Sequence, residues 1–176
     1  ILNHGCVALD PSNPETVYLG TGEYTMQSNG DGLFRSTDGG TTFTRIGTTS
    51  EVGNQCSKIK IDPTNPDIIH LTGRGGYVRS VDGGANWETP LTGSCSDLAL
   101  NPDDPSIVYV ARHGDGVYKS TDGGANFTPL TNGLPGGGVN RIVMSMAESN
   151  PSVLYVAIIN GSAGLLGMYK TTNAGT

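Results

Sequence analysis

The sequence predicts an all-β fold, a β-propeller of four-stranded antiparallel blades, and three observations predict it. Glycine fills 27 of 176 positions while hydrophobic residues reach 35% and charged residues 15%, a balance that favours many turns over long helices. Four segments repeat when aligned on the second proline of a DPxNP-like turn: VALDPSNPETVYLGTG, IKIDPTNPDIIHLTGR, LALNPDDPSIVYVARH and VMSMAESNPSVLYVAII, anchored at Pro14, Pro66, Pro105 and Pro151. A period of roughly 20 to 50 residues marks solenoids and propellers. Each copy also holds short β-branched and aromatic runs punctuated by Pro, Asn, Asp and Gly, which read as strands joined by tight turns.

Within a copy the first strand is VALD-like and the second TVYLG-like; the third is GLFRS, GYVRS, GVYKS or GMYKT, and the fourth begins at an aromatic, as in FTRIG or NWETP. The blades are expected at about 1–48, 55–91, 94–131 and 138–176, the last lacking its outer strand. Propeller rings hold about 4 to 8 blades. The expectation is therefore part of a larger propeller, completed by remaining blades of the same or another chain. Blades bury both faces, so the second strands are nearly continuous apolar runs. Tyr18, His70, Tyr109 and Tyr155 then share one buried column, with His70 a core residue and not a base.

Between strands three and four stands an acidic phrase: STDGGTTF at 36–43, SVDGGANW at 80–87 and STDGGANF at 120–127. A tight reversal needs residues that accept positive φ, which Gly39 and Gly40 supply, and a carboxylate such as Asp38 to receive the N–H groups of its own turn. The closing aromatic, Phe43, Trp87 or Phe127, is placed to wedge between blades, and Ser36, Ser80 and Ser120 to tie the start of the turn. These phrases resemble the Asp-box, or BNR repeat, S-x-D-x-G-x-x-W. The resemblance makes Ser36, Asp38, Gly40 and Phe43, Ser80, Asp82, Gly84 and Trp87, and Ser120, Asp122, Gly124 and Phe127 folding elements, and not acids or metal ligands. The fourth copy, TTNAGT at 171–176, departs from the pattern with Thr171 for Ser and Asn173 for Asp.

Proteins with this repeat include secreted sialidases and xyloglucanases, sortilin-like sorting receptors, photosystem assembly factors and large bacterial surface proteins. The present phrasing is most similar to the xyloglucanase-like and bacterial surface branch. Neither the xyloglucanase catalytic aspartates nor a sialidase arginine triad can be placed on its motifs. The resemblance implies a noncatalytic extracellular or cell-surface module, or else part of an endo-acting glycoside hydrolase. The basic column Arg35, Arg79, Lys119 and Lys170 recurs in every blade and is expected to pack its stems on the sheet with its heads near turn carboxylates.

Antiparallel order puts the strand one-to-two turns and the acidic turns on one side, and the two-to-three loops and blade crossings on the other. Those other loops are irregular, and irregular loops are where a scaffold displays recognition chemistry. The longest, GTGEYTMQSNGDG, offers Glu23, Tyr24, Met26, Gln27 and Asn29 for polysaccharide or protein, with Arg74, Arg112 and His113 from other copies. Asp31 and Asp115 read as turn residues. A hydrolase would need two carboxylates flanking a cleft, for which Glu23 and Glu51 are the candidates.

Cys56 and Cys95 fall at equivalent places in successive repeats and are read either as buried thiols or as a bridge between neighbouring strands. A net charge of −6 without any Lys or Arg run gives no footprint for nucleic acid or an anionic membrane. No stretch reaches the roughly 20 apolar residues of a membrane span, and ILNHGCVALD lacks a basic leader, so an export signal is expected outside this chain. No nucleophile elbow, P-loop, dinucleotide, zincin or EF-hand motif occurs, and neither cofactor nor metal is expected. Asn126-Phe127-Thr128 and Asn160-Gly161-Ser162 match the glycosylation pattern, which is too short to carry weight.

Overall fold

The computed structural model describes residues 4–26 and 28–175. The first sheet holds β1 (His4–Leu9), β2 (Val17–Thr21), β3 (Leu33–Ser36) and β4 (Thr44–Gly47), followed by a one-turn helix α1 (Thr49–Val52). The second holds β5 (Cys56–Ile61), β6 (Ile69–Gly73), β7 (Gly76–Ser80) and β8 (Glu88–Thr92). The third holds β9 (Cys95–Leu100), β10 (Val108–Arg112), β11 (Gly116–Ser120) and β12 (Thr128–Leu130). The fourth has three strands, β13 (Val139–Met146), β14 (Leu154–Asn160) and β15 (Leu165–Thr171). Consecutive strands are neighbours throughout, which is the up-and-down meander of a propeller blade.

The chain divides into two compact units, Ile1–Cys95 and Ser96–Thr176. In the first, Tyr18, Leu33, Ile59, Ile69, Leu71 and Val78 form the core between two blades, with Ile46 and Trp87 packed at its rim. In the second, Tyr109, Val117, Ile142, Leu154, Val156 and Ile158 do the same. Every residue of β6 is buried, as expected of a second strand covered on both faces.

The column of second-strand residues holds at three places and fails at the fourth. Tyr18, His70 and Tyr109 are buried, whereas Tyr155 is 43% exposed. Among the described residues no blade follows the fourth, so the outer face of β14 alternates with solvent. His70 Nδ1 lies 2.6 Å from the Tyr77 hydroxyl while its Nε2 has no hydrogen-bond partner among the described residues. Burial lowers its pKa to about 4, so it is neutral at neutral pH.

The cysteines correct the expectation. Cys56 is neither a thiol nor bonded to Cys95; it forms a disulfide with Cys6, Cα–Cα 6.0 Å, which ties β1 to β5 across two blades. Cys95 is a buried thiol whose Sγ donates to the Gly93 carbonyl at 3.3 Å. The physical reason lies on β2, where Gly20 pairs with Cys6 and a Cβ would meet both bridged sulfurs. Its counterpart in the second blade, Thr72, puts a side chain in the corresponding space and accepts a hydrogen bond from Ser57.

Candidate functional site

The acidic turns repeat one hydrogen-bond pattern. Ser36 Oγ donates to Asp38 Oδ1 at 2.6 Å and accepts from Gly40 N–H at 2.9 Å. Asp38 Oδ1 accepts from Thr42 N–H at 2.9 Å, and Asp38 Oδ2 from the Thr42 hydroxyl at 2.6 Å. Ser80, Asp82, Gly84 and Asn86 repeat these bonds at 2.7–2.9 Å, and so do Ser120, Asp122, Gly124 and Asn126. The fourth turn keeps the frame with other atoms: Thr171 Oγ1 donates to Asn173 Oδ1 at 2.6 Å and accepts from Gly175 N–H at 3.0 Å.

These bonds favour the ionised carboxylates. The Ser36 hydroxyl and then Thr42 lower Asp38 to about 2. The Asn86 side chain foremost lowers Asp82 to about 2, and the Asn126 side chain likewise lowers Asp122. A carboxyl held this low does not protonate a leaving group near neutral pH. Among the described residues no three His, Cys, Asp or Glu side chains are grouped to share a metal ion.

Each turn is also stapled to the strand one-to-two turn of its own blade. Gly39 N–H donates to Glu15 O, Gly83 to Asp67 O, Gly123 to Ser106 O and Ala174 to Ser152 O, all at 2.8–2.9 Å. Both turn families therefore occupy one side of their blade. The residue before the first proline of each DPxNP-like turn does similar work: the buried side chains of Asp10, Asp62 and Asn101 accept N–H groups two residues on at 2.7–2.9 Å.

The basic column makes a different contact from the one expected. Arg35 Nη1 donates to Gly83 O at 3.2 Å, and Lys119 Nζ to Ala174 O at 2.7 Å; these are equivalent atoms, the carbonyl of the first glycine position in the following blade's acidic turn. Lys119 Nζ also lies over the Tyr109 ring at 5.7 Å, and Lys170 Nζ over Tyr155 at 5.4 Å. The Arg35 and Lys119 heads thus find a backbone carbonyl of the next blade. Arg79 pairs with Glu88 on the neighbouring strand at 3.3 Å.

The aromatics that close the turns also divide. Trp87 wedges against the preceding blade, its Nε1–H donating to Ile46 O at 3.1 Å. Phe43 does not: it is 40% exposed, because among the described residues no outer strand precedes its blade.

In the first unit the irregular side is ordered by loop-to-loop bonds. Cys56 N–H donates to Gly22 O, Gly30 N–H to Asn54 O and Arg74 N–H to Gln55 O, at 2.8–3.2 Å. Asn29 Oδ1 accepts both Asn54 Nδ2 at 3.0 Å and Gln55 Nε2 at 3.1 Å. Tyr24 is buried, with its hydroxyl 2.8 Å from Ser94 Oγ, so it fixes the loop from inside. Glu23 folds onto its own loop, accepting from Thr25 Oγ1 at 2.5 Å and from Met26 N–H. Met26, Asn29 and Arg74 are exposed, and Gln27 lies outside the described residues.

Glu51 is bound to α1: its carboxylate accepts Thr48 N–H at 2.9 Å and the Thr48 hydroxyl at 2.6 Å, bonds that lower its pKa. This is a capping box, and the T-x-x-E spacing of 48–51 is the signal that identifies both helix and role.

In the second unit Arg112 and His113 open the β10–β11 loop. Arg112 Nη1 pairs with Asp115 Oδ2 at 3.0 Å, and the Tyr118 hydroxyl donates to the same oxygen at 2.6 Å. That bond to the carboxylate raises the Tyr118 pKa. Asp115 is thus more than a turn residue, since it sets the Arg112 head beside the Tyr118 ring. His113 is exposed at the loop tip.

No family model matches the sequence. A probable oligoxyloglucan-reducing end-specific xyloglucanase of Neosartorya fischeri is 31% identical over 94 residues, 49% of this chain and 11% of that protein. A xyloglucanase of a Paenibacillus species is 33% identical over 91 residues, 46% of this chain and 9% of that protein. The chain thus matches about a tenth of the length of these relatives. Among solved structures, an ancestral GH74 enzyme matches with a TM-score of 0.80 at 19% identity, covering 97% of this chain and 23% of that one. The GH74 enzyme of Niastella koreensis matches at 0.73 and 29% identity, covering 99% and 29%. Meander, repeat and structural likeness agree that this chain is built from the blades of a β-propeller.

Proposed function

We propose that the chain is a noncatalytic extracellular or cell-surface segment of a xyloglucanase-related propeller, a scaffold that binds polysaccharide or protein through its irregular loops. The acidic turns are Asp-boxes on this reading. One observation carries it: the Asp38, Asp82 and Asp122 carboxylates of the repetitive side are consumed inside their own turns, whereas Met26, Asn29, Arg74 and His113 reach solvent from the irregular loops. The Cys6–Cys56 disulfide supports an oxidising compartment. Titration of xyloglucan oligosaccharides into the protein tests the binding role. Arg74→Ala is expected to weaken binding at least fivefold, and Glu15→Ala, on the opposite side of the same unit, to leave it unchanged. Equal binding by both variants would refute the choice of face.

The names of the sequence relatives favour a second reading, part of a glycoside hydrolase with Glu23 and Glu51 as its carboxylate pair. Against it stands the local use of both groups, Glu23 in its loop and Glu51 in the helix cap. Release of reducing ends from xyloglucan, abolished by Glu23→Gln or Glu51→Gln, would establish this second reading over the first.

A further inference from the structure

We infer that Asn29, Asn54 and Gln55 form one sugar subsite that reads two adjacent hydroxyls of a polysaccharide; this rests on the binding role proposed above. Asn29 stands in the β2–β3 loop, and Asn54 and Gln55 in the segment between α1 and β5. The sheets that carry these segments, β1–β4 and β5–β8, each hold four strands, so the seam lies between two four-stranded blades. Backbone bonds lock it: Gly30 N–H donates to Asn54 O at 2.8 Å, and Arg74 N–H to Gln55 O at 3.2 Å. Gly22 and Gly30 let the segments touch, because a Cβ at either would strike backbone atoms at 2.0 and 2.2 Å. The side chains of the seam are thereby held in place before a ligand arrives.

Asn29 is the hub. Its Oδ1 accepts Asn54 Nδ2 at 3.0 Å and Gln55 Nε2 at 3.1 Å, which occupies both lone pairs. The two N–H groups of Asn29 Nδ2 and the Asn54 Oδ1 acceptor have no partner among the described residues, and Asn29 is exposed. Gln55 is 5% exposed, and its Oε1 is buried without a hydrogen bond among the described residues. Native structures pair nearly all such buried oxygens. Gln55 Oε1 belongs to the same amide that bonds Asn29, so this unpaired acceptor adjoins the exposed hub. The trio thus offers donors from Asn29 and acceptors from Asn54 and Gln55, all uncharged. A sugar hydroxyl donates and accepts at once. A vicinal pair of hydroxyls supplies the donor that Gln55 Oε1 lacks, accepts from Asn29 Nδ2 and donates to Asn54 Oδ1.

The probes are xyloglucan oligosaccharides and the same oligosaccharides with every hydroxyl methylated, titrated into the intact protein. Only the free sugars are expected to bind, shifting the side-chain amide signals of Asn29, Asn54 and Gln55. Asn29→Asp keeps an oxygen for the Asn54 and Gln55 amides but removes the Nδ2 donors, so it is expected to weaken binding roughly tenfold with an unchanged unfolding midpoint. Should that variant unfold more easily, Asn54→Ala, expected to weaken binding roughly fivefold, gives the independent measurement. Wild-type affinity in both variants, equal binding of the methylated sugars, or shifts confined to other side chains overturns the inference. If Arg74→Ala still weakens binding in that case, the choice of face stands and only this subsite falls. If the wild-type protein binds neither set of sugars, the polysaccharide-binding reading falls and the subsite with it.

Discussion

At the residue scale, one hydroxyl organises each acidic turn. Ser80 is buried and serves Asp82 and Gly84 at once, so Ser80→Ala strands a carboxylate oxygen and an N–H group. The expected cost is about 1–3 kcal/mol in urea unfolding, against little for Ser12→Ala, whose hydroxyl also bonds an Asp but from an exposed position. Ala174 carries φ 56° where Gly39, Gly83 and Gly123 carry 68–70°. A left-handed backbone strains a side chain but not glycine, so Ala174→Gly is expected to stabilise by about 1 kcal/mol, read as a higher unfolding midpoint. Acid acts through two windows. His70 has a folded pKa below its ordinary 6.5, so its contribution is complete above that value and is lost as pH falls towards about 4. Asp38 and Asp82 have folded values near 2 against 3.8, so theirs is lost between those limits. A stability profile that is flat from pH 7 to 4 would contradict the His70 assignment.

At the element scale, the contact between blades rests on the fourth strand and the turn preceding it. Trp87 is the sole tryptophan of the chain, so its fluorescence reports directly on the seam between the first two blades. Trp87→Ala is expected to destabilise by about 3 kcal/mol, from lost packing and an orphaned Ile46 carbonyl, and Trp87→Phe by less. In the native protein the emission should shift to longer wavelength in the same transition that melts the sheets. An emission change preceding loss of β signal would show the seam opening independently of its blades. The basic column reinforces this contact from the other blade, because Arg35 reaches the Gly83 carbonyl within the turn that launches Trp87.

At the scale of the whole molecule, the disulfide is the one covalent cross-link between blades among the described residues. Cys6 and Cys56 are 50 residues apart, and opening their bond enlarges the unfolded ensemble. Reduction, or Cys6→Ser, is expected to remove about 2–4 kcal/mol, seen as a lower urea midpoint with reductant than without; an unchanged midpoint would refute the bridge. The sequence by itself determined the blade count, the strand order and the turn chemistry, because DPxNP and S-x-D-G-G act over a handful of neighbouring atoms. The capping role of Glu51 is readable in the T-x-x-E spacing of 48–51. Only the tertiary structure decided which cysteines meet, since that depends on the missing side chain of Gly20 on a different strand. It also decided where the Arg35 and Lys119 heads go, because their partner is a backbone carbonyl, identical in every residue, and its location is fixed only when one blade packs on the next. Tyr155 and Phe43 make the same point: their repeat positions match those of buried Tyr109 and half-buried Trp87, and the presence or absence of a neighbouring sheet sets their exposure.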